Sequence, residues 1–133
     1  MNSDPLERTQ RAGPAMEISN AMVGLLAKYT GRGPTKARTT IGRDHVLVML
    51  ADTLTRGERS LVDAGFGDHV LDTRSKYQTA MRAEAVTMVE RLTGRSVIGF
   101  MSDNHLDPDL GAEIFTFAPN GGSREVQEAE STE

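Results

Sequence analysis

Glycines and cations supply the part of this sequence best suited to chemistry. Gly31-Arg32-Gly33-Pro34 is followed by Lys36 and Arg38. Glycines let a backbone approach an anion, and the three cations would neutralise it, so the pattern fits a small-anion or nucleotide site. It is not a phosphate-binding P-loop, because it follows a helical stretch and lacks the Gly-Lys-Ser/Thr ending. A helix C-terminus also carries negative partial charge, so a plain helix stop is the simpler account. Arg74 is the other unusual cation. It precedes Tyr77 and Met81 by three and seven residues on one apolar helical stripe. A charge there must be paired or sit at a rim, and Asp103, alone after a strand, is the partner that the sequence offers. The candidate binding set is therefore Gly31, Arg32, Gly33, Pro34, Lys36, Arg38, Arg74 and Asp103.

Other groups carry less. Asp103, His105, Asp107 and Asp109 alternate in one stretch as hard-cation ligands could. The calcium-loop pattern is missing, though, and Asp, Asn and Pro are favoured turn residues for backbone reasons. No metal site is expected. His45 and His69 have no carboxylate-and-nucleophile company, and no serine stands in a Gly-x-Ser-x-Gly elbow. The chain has no Cys, so thiolate chemistry and disulfides are excluded. The expectation is a non-enzymatic chain without a cofactor.

The elements that must position these groups follow from periodicity. Pro14 opens a helix whose stripe is Ile18, Met22, Leu25, Leu26 and Tyr29. Gly31, Gly33 and Pro34 end it. From Thr35 the period is two, with Ala37, Thr39 and Ile41 on one side and Lys36, Arg38 and Thr40 on the other. After a turn at Gly42-Arg43-Asp44, His45–Leu50 reads as a central strand covered on both faces. Thr55 and Glu58 fit a capping box that opens a short helix with Leu61 and Val62 inward. A longer helix begins at Asp68 or Asp72, carries Tyr77, Met81, Ala85, Met88 and Leu92, and stops at Gly94. Arg95–Asp103 and Ala112–Ala118 form a second hairpin around a polar loop.

The expected fold is an α+β, two-layer α/β domain of order α-β-β-α-α-β-β. Its four-stranded, mainly antiparallel sheet has the helices on one face. The folded domain is placed at 14–119, between a disordered arm at 1–13 and a disordered acidic tail at 120–133. The sheet face away from the helices is too apolar to be left wet, which predicts a homodimer. The chain has 133 residues and a net charge of −4, against non-specific nucleic-acid binding. Met1–Gly13 has no apolar core of a signal peptide, and no run approaches the ~20 residues of a membrane span. A cytoplasmic protein without membrane insertion is expected.

With the elements in order, the chain resembles the small bacterial MpsC-type family, formerly a domain of unknown function. The resemblance rests on Gly31-Arg32-Gly33-Pro34, the strand pair through Ile41 and His45–Leu50, and Leu54-Thr55-Arg56-Gly57-Glu58. It continues with Arg74, Leu92-Thr93-Gly94-Arg95, Ser102-Asp103 and Ile114-Phe115-Thr116-Phe117. It implies an association with a sodium-translocating, membrane-potential-generating system linked to inorganic-carbon uptake. On that basis the chain is expected to be an accessory or regulatory module that contacts a membrane transporter subunit. The alternative is a sensor of small anions or nucleotides using Arg32, Lys36, Arg38 and Arg74.

Overall fold

The computed structural model of the chain describes residues 5–34 and 36–119. The predicted tail and the first four residues of the predicted arm lie outside the described residues. The first helix, α1, spans Pro5–Thr30 and breaks at Gly13 (φ 60°, ψ −144°). Pro14 is the first residue past that break, a position where its missing N–H costs nothing. Ile18, Met22 and Leu26 of the expected stripe are buried. Gly31 closes the helix with φ 86° and donates its N–H to Ala27. Gly33 lets the chain turn back over α1: a Cβ there would lie 2.9 Å from both the Val23 carbonyl oxygen and its Cγ1.

Strands β1 (Lys36–Ile41) and β2 (His45–Ala51) form the first hairpin, and β3 (Val97–His105) and β4 (Leu110–Phe117) the second. The hairpins join through an antiparallel β2–β4 pairing, giving the sheet order β1-β2-β4-β3. This is the antiparallel α+β architecture that the periodicity implies. Between the hairpins lie α2 (Arg56–Asp63) and α3 (Gly67–Thr93), the latter ending in a left-handed Gly94.

Alternation along the strands builds one core. Val46, Val48 and Leu50 of β2, Phe100 of β3, and Phe115 and Phe117 of β4 meet Ile18, Met22 and Leu26 from α1 and Met81, Ala85, Met88 and Val89 from α3. Phe100 and Phe115 pack with ring centroids 4.9 Å apart, within the range of favourable aromatic pairs. Two expectations are corrected. β2 is central, but within one chain it is covered on one face only, and Met49 is 40% exposed. Leu61 does not point inward: α2 has no buried residue, because this short helix lies at the margin of the core.

Candidate functional site

The chemistry concentrates where β2 leaves the sheet. Asp52, the first residue past the strand, has φ 59°, a left-handed conformation that few residues besides glycine adopt. Hydrogen bonds hold this turn from three sides. The Asp52 N–H donates to the Asp109 carbonyl at 3.1 Å. Arg32 donates one nitrogen to the Asp52 and Leu54 carbonyls (2.7 and 3.0 Å), and the other to the Asp52 carboxylate at 3.0 Å. Asp109 accepts from the Thr53 hydroxyl, the Leu54 N–H and Arg59 at 2.9–3.0 Å. Of the alternating carboxylates, Asp109 does structural work as the anchor of the turn.

Thr55 then caps α2 as expected. Its hydroxyl accepts from the Glu58 N–H at 3.1 Å, and the Glu58 carboxylate accepts from the Thr55 N–H at 2.8 Å. The same carboxylate receives Arg74. The Arg74 side chain is 5% exposed and donates Nε to Glu58 Oε2 at 2.8 Å and Nη2 to Oε1 at 2.5 Å, while Nη2 also reaches the Thr53 carbonyl. Burial alone would raise the Glu58 pKa, yet the Arg74 and Thr55 hydrogen bonds win and hold it below the ordinary carboxylate value. Arg74 is thus paired with Glu58, not with Asp103. Asp103 is exposed on β3 and accepts the N–H of its neighbour Asn104 at 2.8 Å. The sequence reading missed this pairing because Glu58 already had a role as a cap; its second oxygen gives it another.

Of the candidate set, the structure brings Arg32 and Arg74 to one segment, Arg32 on the Asp52 and Leu54 carbonyls and Arg74 on the Thr53 carbonyl. Gly31, Gly33 and the buried Pro34 shape the loop that delivers Arg32. Lys36 and Arg38 go elsewhere, to the helix-free face of the edge strand β1, and Asp103 lies at the far edge of that face on β3. The four cations do not converge, and Arg32 and Arg74 each donate three hydrogen bonds to protein oxygens.

Glu113 was not singled out by the sequence. It lies on β4 opposite Ser102 of β3 and Val48 of β2, facing the core, and is 2% exposed. Burial pushes its pKa up to about 7, with the Ser102 hydroxyl and the Arg74 charge pulling it partly back. Ser102 is near enough to favour the carboxylate, but neither its Oγ nor Glu113 Oε1 completes a hydrogen bond. The signal was in the alternation: Glu113 shares the phase of the core residues Phe115 and Phe117.

No curated protein and no solved structure matches the chain. No helix among the described residues is long and apolar enough to cross a membrane. Residues 14–119 match the family described as "Na+-translocating membrane potential-generating system (MpsC)". The match runs from the proline after the α1 break to the end of β4 and takes in the whole braced turn, so the chain belongs to the MpsC family.

Proposed function

We propose that this chain is a non-enzymatic accessory or regulatory module of a bacterial membrane ion-transport system, a sodium or inorganic-carbon system that sets membrane potential. It acts by protein–protein contact from the cytoplasmic side and works as a homodimer. The observation that carries this reading is the braced turn at the end of β2. Arg32, Asp52 and Arg59 present alternating charge there, with side chains 36%, 44% and 50% exposed. The backbone beneath them is tied down by Arg74 and Asp109. A charged surface fixed before binding loses little conformational freedom when a partner docks, which makes it an efficient recognition surface. The glycine loop that delivers Arg32 extends it along one edge. The family description names the kind of system served.

The test is affinity purification of the tagged full chain from its own host, with membrane and soluble fractions kept apart. An integral membrane ion transporter is expected with the wild type and is lost with Arg56→Glu/Arg59→Ala. Both side chains are exposed on α2, and because Arg59 also donates to Asp109, an unchanged thermal melt shows that the turn itself survives. Recovery from the soluble fraction alone, without a membrane protein, overturns the reading.

A further inference from the structure

The face of the sheet away from the helices has a pattern of its own. Residues paired across antiparallel strands share a face, so the register defines its rows. One row is Thr40, Leu47, Ile114 and Met101; the next is Arg38, Met49, Ala112 and Asp103; the third is Lys36, Ala51, Leu110 and His105. The two central strands of this face are apolar, with Met49 40% and Leu110 36% exposed, and Met101 on the edge strand β3 is 54% exposed. Four strands at ~4.8 Å spacing and six residues at ~3.3 Å make it about 20 Å on each side. An exposed apolar centre rimmed by polar and charged groups is the pattern of an interaction site. Its charge is also polarised: the cations lie on β1 at one edge, and Asp103 lies on β3 at the other.

That polarity selects the occupant. We propose that a second copy of this chain covers the face, the two sheets packing about a two-fold axis parallel to the strands. Such an axis reverses the strand order but keeps the level along the strands. β1 then lies over β3 of the second copy and β2 over its β4. Because Arg38 and Asp103 sit in one row, each Arg38 meets Asp103 of the other copy, twice per dimer, on either side of a core of Leu47, Met49, Ile114 and Leu110, while Met101 lies over Thr40 of the other copy. The other face-to-face two-fold, across the strands, stacks β1 on β1 and sets Arg38 and Lys36 against their own copies. Like charges facing each other oppose that arrangement. The selected geometry is the aligned sheet packing of β-sandwiches, ~10 Å between sheets, and as an isologous contact it closes at two copies.

The inference rests on the homodimer in the reading above but not on the transporter, and its test is separate. Sedimentation equilibrium of the full chain is expected to give a dimer. Arg38→Asp and Asp103→Arg, both at exposed strand positions, each weaken it on the order of 100-fold by creating two like-charge contacts. The decisive sample is an equimolar mixture of the two variants. Its heterodimer carries two opposite-charge contacts, so association returns to near the wild-type value, and the double variant Arg38→Asp/Asp103→Arg returns likewise. Thermal melts of the single variants, measured at concentrations where all are monomeric, should coincide with the wild type. A wild-type chain that stays monomeric at about 100 μM, or variants that fail to rescue one another on mixing, overturns the proposal. A monomer that still recovers a membrane transporter would overturn the dimer alone and leave the face to a different protein.

Discussion

Arg74 and Glu113 are both ionisable, both almost wholly buried, and close enough that the charge of Arg74 acts on Glu113. They are nevertheless opposites in their hydrogen bonding. Arg74 has a carboxylate held by two nitrogens and a backbone carbonyl besides. Glu113 has an oxygen with no hydrogen bond, beside a serine hydroxyl in the same condition. Burying a charge is costly unless it is paired and hydrogen-bonded, and the molecule meets that cost at Arg74 by building a whole turn around it. At Glu113 the cost appears instead as a displaced pKa. The Glu58 carboxyl that answers Arg74 is held below the ordinary carboxylate value, while burial pushes Glu113 up to about 7.

The sharpest way to break the comparison is Arg74→Ala. It leaves the Glu58 carboxylate without its cation and the Thr53 carbonyl without its donor, and removing one member of a buried pair is strongly destabilising. Glu58 is slightly open to solvent, 13% exposed, so the lower end of the usual range applies, about 3 kcal/mol. Urea unfolding at pH 7 measures it. A loss below about 1 kcal/mol, the worth of a surface pair, would show that the pair does not brace the turn.

Glu113→Gln comes next, and its effect depends on pH. The ordinary carboxyl value is 4.5 and the folded value about 7. As pH rises from 4.5, the unfolded chain releases this proton before the folded one does. Glu113 therefore subtracts stability progressively between pH 4.5 and about 7, and by a constant amount above that. Glu58 runs the other way: its lowered pKa adds stability that is lost only on acidification. Glutamine cannot ionise, and its amide can donate to Ser102. The variant should gain on the wild type by up to about 3 kcal/mol between pH 5 and pH 8. Urea midpoints across that interval give the difference directly. A wild-type–variant gap that stays constant over the interval would mean that Glu113 titrates normally.

How much of this was readable beforehand follows the range of each interaction. The Thr55–Glu58 cap spans three residues, and the Gly94 stop is set by one glycine, so both were legible in the order of residues. Burial of Arg74 was legible too, because a helical period puts it on the Met81 stripe. Its partner was not, since spacing within a helix says nothing about which loop will lie against it. Asp103 and Glu58 were equally available, and the β2–α2 turn decided between them. Asp109 looked like one carboxylate among several because its bonds reach back 50–56 residues. The sheet order is a similar case: two hairpins were visible in the alternation, while their junction through β2 and β4 depends on which edge each one buries.

The smallest effect gives the finest test of the contrast. Thr55→Ala removes the hydroxyl that accepts the Glu58 N–H, but it leaves the Thr55 N–H to Glu58 bond and both Arg74 contacts in place. Loss of an N-cap side chain costs about 1 kcal/mol. Glu58 belongs both to the cap and to the Arg74 pair, so the two losses should not add. In the double variant Thr55→Ala/Arg74→Ala, the carboxylate that completed the box is already released from its cation. Neighbours that share a network couple by about 0.5 kcal/mol or more, and the double variant should depart from the sum by at least that much. Paired against Glu113→Gln, whose carboxyl takes no part in the cap, Thr55→Ala should be additive. A cycle that couples Thr55 to Glu113 as strongly as to Arg74 would mean that the braced turn and the unsatisfied carboxyl form one cooperative unit.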